Sequence, residues 1–355
     1  MRRLVMHKET PFEWEKWLRK RIETYPPLSP TLLLLQLVSH FYKGWITLRH
    51  WGYDFGLFKV NRSRLPVVSV GALVCGGTRK TPLTAHIAKV VGKPVGILTG
   101  GYAAKIKGDC KKVTSSLEGD EAFLLSQKVP EAKVYAHQER IESARLAEKE
   151  MVNYLLMDSG LQHRALHRDI EIVTIDAKAP FATGHFLPRG FLKDLPRRLR
   201  AADWVVVMDC ESELEFDNLV LQLRKIHPHG KYLGMRGAFA KRELIREKTI
   251  GMFCGIANPE TFERMLTREG CHIIQKKILS DHEPFEHPQE FVKKCRDAGA
   301  ELVVCTEKDF VKINEPEGIT PLELVLEVAY GENEYQKMLA MISNLNKGDA
   351  HETVG

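Results

Sequence analysis

The most informative segment of the chain is Val67-Val-Ser-Val-Gly-Ala-Leu-Val-Cys-Gly-Gly-Thr-Arg-Lys-Thr-Pro82. The apolar run from Leu65 to Val70 predicts a buried strand, and a helical pattern follows Lys80-Thr81. Three apolar residues share one face of that helix: Leu83, Ile87 and Val90. A strand, a glycine loop and a helix that begins with Lys-Thr are the parts of a phosphate-binding loop.

The loop residues are therefore predicted to bind nucleotide phosphates. In such loops, backbone N–H groups surround phosphate oxygens, the lysine neutralises their charge, and the threonine hydroxyl binds Mg²⁺. Two positions depart from the general pattern, because Arg79 replaces the glycine before the lysine and Val74 replaces the first glycine. The predicted cofactor-binding residues are Gly76, Gly77, Thr78, Arg79, Lys80 and Thr81.

Composition limits the classes of protein to consider. A hydrophobic content of 44% with 28% charged residues over 355 positions is typical of a soluble protein with one large core or two ordinary ones. The net charge of +6 suits an anionic substrate or a membrane surface, and it is too small to argue for nucleic acid. Seven cysteines without a Cys-x-x-Cys pair predict reduced thiols in a cytoplasmic compartment, and the N-terminus shows no secretory signal.

The N-terminal region contains the most apolar segment of the chain, Thr31 to Trp51. Residues 10 to 24 predict a charged helix, which the prolines between Tyr25 and Pro30 end. The segment from Thr31 is too short in its unbroken apolar part to predict a membrane span. Two interpretations stay open: a helix at the membrane interface, or a helix packed on the domain core.

Buried strands that alternate with helices predict an α/β fold of the phosphate-loop NTPase type, a mostly parallel sheet with helices on both faces. The predicted strands are 94–98, 154–157, 170–175 and 204–208, and helical patterns such as 120–127 and 139–150 separate them. Functional residues of such sheets gather at the carboxyl ends of the strands. Four polar residues have that position: Thr99, Asp158, Asp176 and Asp209.

A second strand–helix series from Thr249 to Thr306 predicts a smaller α/β domain, and residues 230 to 248 are interpreted as a linker or a small hairpin. The predicted division has an N-terminal helical, membrane-interface segment, a phosphate-loop kinase domain, a smaller C-terminal α/β domain and a disordered tail. The corresponding ranges are 1–60, 61–235, 236–346 and 347–355.

Several polar clusters are candidates for chemistry. Asp158 ends an apolar strand, where phosphate-loop enzymes place a Mg²⁺ ligand, although such an Asp also starts turns. Gln162 and His163 belong to a polar wall around a sugar or phosphate, for which the alternative is a solvated loop. The cations between Lys193 and Arg200 are either a clamp on an anionic group or the exposed face of a short helix that starts at Pro196.

Two further carboxylate clusters are not specific when read locally. Asp120 or Glu121 either caps a helix or acts as a catalytic base, and His282 lies between carboxylates.

Eight segments together resemble the tetraacyldisaccharide 4'-kinase family, the lipid A 4'-kinases of Gram-negative lipopolysaccharide assembly. The resemblance covers roughly residues 30 to 340 and is far more specific than the loop alone. The segments occur in order and at similar spacing: Val68-Ser-Val-Gly, Gly76-Gly-Thr-Arg-Lys-Thr-Pro, Asp158-Ser-Gly-Leu-Gln-His-Arg, Arg168-Asp-Ile-Glu-Ile-Val-Thr-Ile-Asp-Ala, Phe186-Leu-Pro-Arg-Gly-Phe-Leu-Lys-Asp, Phe253-Cys-Gly-Ile-Ala-Asn-Pro-Glu-Thr-Phe, Ser280-Asp-His-Glu-Pro-Phe and Cys305-Thr-Glu-Lys-Asp-Phe-Val-Lys.

The resemblance implies a two-domain kinase at the cytoplasmic face of the bacterial inner membrane, peripheral or anchored through its N-terminus. It would transfer the γ-phosphoryl of ATP, with Mg²⁺, to the 4'-hydroxyl of a lipid A disaccharide 1-phosphate precursor. No nucleic acid and no obligate protein partner are implied. Two other hypotheses stay open: a degenerate homologue that binds nucleotide or lipid with little turnover, and another phosphate-loop enzyme such as a small-molecule kinase.

The family motifs also imply roles for single residues. Lys80 joins Asp120 and His282 as catalytic residues, and Thr81 and Asp158 are the metal ligands. Asp194 matches an acidic residue of the family, and together with Gln162 and His163 of the polar wall it forms the predicted set of substrate residues.

Some positions depart from the family pattern. Family members usually have Gly at Arg79, Asp at Ser159 and Arg at Gly100; Asn and Pro are usual at Ala72 and Ala122. Arg79 is expected to carry a strained backbone that glycine adopts freely, at a cost of about 1 kcal/mol or more. One hypothesis is that its guanidinium reaches a phosphate and replaces the cation missing at Gly100.

Overall fold

The computed structural model describes residues 29–92, 94–100, 111–114, 119–256, 258–279, 285 and 287–345, with the backbone alone for Lys111 and Asp120. The predicted helix at 10–24, the tail after residue 346 and His282 lie outside the described residues.

The strands of the described residues include every apolar run predicted as a strand in the first half of the sequence. They are β1 (Val67–Ala72), β2 (Val95–Thr99), β3 (Lys111–Lys112), β4 (Lys133–Ala136), β5 (Tyr154–Asp158), β6 (Ile170–Asp176), β7 (Trp204–Met208), β8 (Lys231–Phe239), β9 (Thr249–Cys254), β10 (His272–Ile278), β11 (Leu302–Thr306), β12 (Ile319–Leu322) and β13 (Leu324–Tyr330). The strands predicted in the first half of the chain are confirmed within a residue or two.

The helices alternate with these strands, as predicted. They are α1 (Pro30–Asp54), α2 (Lys80–Val91), α3 (Asp120–Lys128), α4 (Arg140–Ala147), α5 (Glu213–Arg224), α6 (Pro259–Arg268), α7 (Pro288–Asp297), α8 (Glu307–Phe310) and α9 (Glu332–Asn344). Short 3-10 helices cover Pro196–Ala201 and Arg242–Leu244. In α2, the predicted apolar face is confirmed, with Leu83 and Ile87 buried and Val90 half exposed near the end of the helix.

Nine strands form one sheet in the order β13-β8-β7-β6-β1-β5-β2-β4-β3. The seven strands from β8 to β4 run parallel to their neighbours, and the two edge strands are antiparallel. The carboxyl ends of the parallel strands therefore meet at one edge of the sheet, with β1 near its middle. This mostly parallel sheet with its helices confirms the predicted fold class.

The two faces of the sheet carry separate hydrophobic cores, because alternate residues of a strand point to opposite faces. Val206 packs with Leu83 and Ile87 of α2 on one face. Val205 and Val207 pack with apolar residues of α5 on the other. Both faces are buried, which explains why these strands are almost continuously apolar in sequence.

A second sheet of four parallel strands has the order β10-β9-β11-β12. The interpretation of residues 230 to 248 as a linker or hairpin is wrong, because β8 pairs with β7 and β13 in the large sheet. Gly234 and Gly237 within β8 weaken the apolar pattern that would have predicted a strand. The boundary predicted after residue 235 falls inside β8, and the chain returns to the large sheet through β13, although the division into domains stays a prediction.

Candidate active site

The phosphate loop follows β1 at the carboxyl edge of the large sheet and leads into α2. Gly76 and Gly77 have φ values of 69° and 53°, a conformation that glycine adopts without strain. The first N–H groups of α2 have no partner within the helix, so they favour an anion at this end. The ammonium of Lys80 lies over the loop and donates to Oγ1 of Thr78 at 3.1 Å. The loop therefore has the geometry of a phosphate site.

Arg79 is the residue before the helix and has a left-handed backbone, with φ 53° and ψ 30°. Its Nε donates to Oδ2 of Asp209 at 2.5 Å, and both side chains are about nine-tenths buried. The hypothesis that its guanidinium reaches a phosphate is wrong for this structure, since the guanidinium is held by the carboxylate that follows β7.

Asp158 at the end of β5 faces the start of α2. Its carboxylate accepts hydrogen bonds from Oγ1 of Thr81 at 3.2 Å and from Oγ1 of Thr84 at 3.0 Å. Burial raises the pKa of Asp158, and the nearby charge of Glu121 raises it further. A divalent cation beside this carboxylate would favour its charged form.

A hydroxyl and a single carboxylate beside a phosphate loop fit Mg²⁺, which binds one or two carboxylates together with substrate phosphates and water. Within the described part of the chain, no group of three or more His, Cys, Asp or Glu residues could hold a metal. These described residues therefore do not form a metal site whose ligands all come from the protein.

The loop after β5 turns back along β1. The N–H of Gly160 donates to the carbonyl of Val70 at 3.0 Å, and the N–H of His163 donates to that of Gly160 at 2.8 Å. Ser159, where the family usually has Asp, has a φ of 57° in this turn. The turn brings Gln162 to the end of β1, where its Nε2 donates to the carbonyl of Ala72 at 3.1 Å.

Gln162 and Asp194 are brought together, as their shared predicted role requires. Nε2 of Gln162 donates to Oδ2 of Asp194 at 3.1 Å, while Oδ1 accepts from the N–H of Leu195 and lies 2.6 Å from Nε2 of His50. Arg164 can only donate to Nδ1 of His50, so the proton of that ring lies on Nε2 and points to Asp194. The Asp194 carboxylate is fully buried, so in this structure it orients its neighbours instead of facing open space.

His163 is neutral at physiological pH. Burial and the neighbouring guanidinium of Arg140 lower its pKa to about 3, and further cations around it act in the same direction. A neutral imidazole among cations can donate or accept a hydrogen bond but adds no charge to the site.

Two cations lie near the site: Arg140, which the sequence did not predict, and Lys193, which the sequence placed in a cluster of cations. Arg140, at the start of α4, is buried and donates to the carbonyls of His137 at 2.7 Å and Asp158 at 3.3 Å. Its NH2 lies 3.1 Å from where a Cβ at Gly100 would be, so its guanidinium fills the space beside that position. Nothing near Arg140 in the sequence marks this role, because β2 and β5 bring the partners together.

Lys193 is the second of these cations. Its backbone N–H donates to the carbonyl of Leu73 at 2.9 Å, which fixes it beside the start of the phosphate loop. Burial and the charge of Lys80 lower the pKa of Lys193 to about 8. Of the other cations in this segment, Arg200 donates to the carbonyl of Ile226 at 2.8 Å instead, and the predicted short helix at Pro196 is confirmed.

The proposed catalytic pair is only partly described. Asp120 begins α3, but its side chain and His282 are outside the described residues. The next residue, Glu121, lies 3.4 Å from Nζ of Lys308 at the start of α8. The position of α3 is therefore tied to the four-stranded sheet unit.

Helix α1 packs on the loops that surround the site. Ser39 donates to the carbonyl of Phe186 at 2.8 Å, Tyr42 to that of Lys193 at 3.1 Å and Arg49 to that of Gln162 at 2.8 Å. The opposite side exposes large apolar residues: Leu33, Leu34, Leu37, Val38, Phe41, Trp45, Leu48 and Trp51. The interpretation as a helix packed on the domain is confirmed for one side of α1, whereas a position at the membrane interface stays a prediction for its exposed apolar side.

None of the helices in the described ranges has the length and hydropathy that a membrane crossing requires.

Comparison with known proteins identifies relatives over most of the chain. The family model for LpxK, tetraacyldisaccharide-1-P 4'-kinase, matches residues 31–344. The tetraacyldisaccharide 4'-kinase of Syntrophus aciditrophicus is 34% identical over 319 residues, 80% of this chain and 85% of the relative. That of Chlamydia pneumoniae is 32% identical over 308 residues, 81% of this chain and 84% of the relative.

The fold also matches a solved structure. LpxK from Aquifex aeolicus, in a crystal structure described as in complex with ATP, superposes with a TM-score of 0.67. The match covers 87% of this chain and 97% of that chain at 24% identity, so it supports the fold.

Proposed function

This chain belongs to the tetraacyldisaccharide 4'-kinase family, and from that premise we propose how its own residues carry out the reaction. It is an ATP-dependent kinase of lipid A biosynthesis that phosphorylates the 4'-hydroxyl of a tetraacyldisaccharide 1-phosphate. The alternatives of a degenerate homologue or another small-molecule kinase are not favoured.

The observation that carries the proposal is the contact between the phosphate loop and β5. Thr81 and Asp158 lie side by side at 3.2 Å, with Lys80 over the loop and the start of α2 facing the same space. Phosphoryl transfer depends mainly on positioning and on neutralising charge, and these groups supply both.

We propose that the loop from Gly76 to Thr81 binds the phosphates of ATP, with Lys80 as the main cation. Thr81 and Asp158 would hold Mg²⁺, which would take up charge on the phosphoryl group. Asp120 at the start of α3 would orient or deprotonate the 4'-hydroxyl, and His282 would support Asp120 or the incoming hydroxyl.

The substrate side of the site is proposed to be formed by Gln162 and His163. Asp194 holds Gln162 in place by accepting its Nε2 hydrogen bond, so its part in substrate binding would be indirect. The uncharged His163 would hydrogen-bond the sugar or its phosphate without adding charge.

Helix α1 is proposed to rest on the cytoplasmic face of the bacterial inner membrane. Its exposed side carries aromatic and leucine residues, with Phe41 71% and Trp45 59% exposed, and the exposed Lys43 is close by. Apolar and basic residues together favour an interfacial position on an anionic membrane. Because the same helix packs on the loops around Gln162 and Lys193, the acyl chains of the substrate could stay in the membrane while its sugar reaches the site.

The metal site is tested by the Mg²⁺ dependence of an Asp158→Asn variant. We expect the Mg²⁺ concentration for half-maximal activity to rise by about tenfold or more, because a neutral amide replaces the one carboxylate next to Thr81. The matched control is Asp203→Asn, since the carboxylate of Asp203 also accepts a hydrogen bond, here from the backbone N–H of Glu171, but lies at the opposite ends of the strands. An unchanged Mg²⁺ requirement in Asp158→Asn would contradict the proposed site.

A further inference from the structure

Arg79 and Asp209 form a buried ion pair between two segments that are 130 positions apart in the chain. Each has a positive φ, 53° for Arg79 and 62° for Asp209. A left-handed backbone costs an ordinary residue roughly 1–2 kcal/mol, so two such residues in contact need compensating interactions. The contacts of the two side chains supply them.

Asp209 is held in place independently of Arg79 by two hydrogen bonds to β8. Its N–H donates to the carbonyl of Met235 at 2.8 Å, and its Oδ1 accepts from the N–H of Gly237 at 3.0 Å. Its other oxygen, Oδ2, accepts from Nε of Arg79. The carboxylate is therefore a rigid acceptor at the end of β7.

Because Gly237 has no side chain, the guanidinium of Arg79 can occupy the space beside the glycine Cα. A Cβ at this position would lie 2.6 Å from NH1, 2.7 Å from Cζ and 2.8 Å from NH2 of Arg79. Any larger residue at 237 would therefore displace the guanidinium. On its other side, NH2 of Arg79 lies 3.3 Å from Sδ of Met265 in α6.

The backbone of Arg79 meanwhile begins α2, because its carbonyl accepts from the N–H of Leu83 at 3.0 Å. Lys80 and Thr81 come next in the chain, so their positions depend on the turn at residue 79. An anchored side chain limits the conformations of that turn in a way that an unanchored residue cannot.

We propose that Arg79 is a positioning residue, whose ion pair with Asp209 beside Gly237 holds the phosphate loop in its nucleotide-binding conformation. The inference rests on the proposed nucleotide site and assigns no contact between Arg79 and ATP. The side chain of Arg79 also connects the loop to α6, and hence to the four-stranded sheet unit, through its contact with Met265.

The experiment is a set of double-mutant cycles with two readouts: the Kd of ATP by calorimetry, and the KM values for ATP and lipid in micelles. We expect Gly237→Ala and Asp209→Asn each to raise the Kd and KM for ATP about tenfold, with little change in the KM for the lipid. In an Arg79→Gly background, the same substitutions should change both by less than twofold, because no guanidinium remains to be displaced.

The residue at 79 gives a second comparison. Arg79→Ala should weaken ATP binding more than Arg79→Gly, because alanine keeps the strained backbone and loses the anchor, whereas glycine adopts the turn freely. Lys89→Ala is the matched control, since it removes an exposed ion pair with Glu323 from the same helix. It should leave ATP binding unchanged.

Thermal unfolding of every variant separates loss of the fold from loss of the anchor. Equal effects of Gly237→Ala in both backgrounds, or normal ATP binding by Arg79→Ala, would overturn the inference and leave the kinase assignment intact. Failure of the folded wild-type protein to bind ATP would overturn both.

Discussion

Lys193 places a second ammonium next to Lys80, at the start of the phosphate loop. Like charges that are both partly withdrawn from water destabilise the folded protein, yet they suit a polyanionic ligand. The lowered pKa of Lys193 reflects this cost, and burial is its largest cause. Such an arrangement is typical of functional sites, where residues that improve ligand binding often lower the free energy of unfolding.

We expect Lys193→Met to stabilise the protein without ligand and to weaken ATP binding. The pKa of Lys193 is about 8 in the folded protein, against 10.5 for an ordinary lysine. Below pH 8, both states are protonated and the full cost is present. Between pH 8 and 10.5 the folded state alone loses its proton, so the cost falls as the pH rises.

Melting curves at several pH values measure this effect. At pH 7 the variant should melt higher by about 2–4 °C, and the difference should shrink above pH 8. Calorimetry should show an ATP affinity about tenfold lower. Lys225→Met, at an exposed position after α5, is the control. A lower melting temperature at pH 7 together with normal ATP binding would refute the role of Lys193.

Single residues also show what the sequence could predict. The loop, its lysine and Asp158 follow from local patterns, since each lies at the end of an apolar run. The partners of Arg79 and the position of Arg140 do not, because Asp209 and Asp158 meet them through the order of strands in the sheet. The hypothesis that the guanidinium of Arg79 contacts a phosphate was wrong because it was based only on the residues next to Arg79 in the sequence.

At the scale of elements, α3 is held by contacts with the segment Thr306-Glu-Lys-Asp309, a motif of the family resemblance. Nζ of Lys128 at the end of α3 donates to Oε2 of Glu307 at 2.5 Å and to the carbonyl of Leu324 at 2.6 Å. The same Oε2 accepts from the N–H of Leu324 at 2.9 Å. These contacts set the position of the helix that begins with Asp120.

We therefore expect Lys128→Ala to lower kcat while the KM for ATP changes little, because the phosphate loop does not depend on this contact. Loss of a partly buried ion pair should also lower the free energy of unfolding by about 2 kcal/mol. Steady-state kinetics and urea denaturation measure the two effects. Lys133→Ala, which removes the pair with Glu150, is the control and should keep kcat. A raised KM for ATP with normal kcat would argue against this coupling.

Elements also differ in how well their patterns predicted them. The strands β5, β6 and β7 are buried on both faces and read as continuous apolar runs, so they were predicted within a residue or two. Strand β8 contains two glycines and an exposed Arg236, and its pairing with β13 spans about ninety residues of chain. Only the tertiary structure reveals it.

At the scale of the whole molecule, the apolar side of α1 faces away from the protein while its other side holds the loops around the site. Exposed apolar residues continue beyond the helix, at Phe55, Leu57 and Phe58. A contiguous apolar surface of this kind is uncommon unless something covers it. We propose that the membrane does so.

The double variant Phe41→Ser, Trp45→Ser should bind anionic phospholipid vesicles about tenfold or more weakly. Burial of each aromatic ring in the membrane would contribute ~1.5–3 kcal/mol to the free energy of binding. The melting temperature should not change, since both side chains are exposed. Flotation of the protein with vesicles measures the effect. The control is Leu214→Ser with Leu221→Ser, two equally exposed leucines of α5. Equal flotation of both variants would contradict a membrane role for α1.

The proposed function requires the loop with Arg79 to be the nucleotide site of an active tetraacyldisaccharide 4'-kinase. The most direct measurement is transfer of the γ-phosphoryl of labelled ATP to a tetraacyldisaccharide 1-phosphate in detergent micelles. We expect product from the wild-type protein only when Mg²⁺ is present, and none from Lys80→Ala. No product from the folded wild-type protein, or undiminished product from Lys80→Ala, would contradict it.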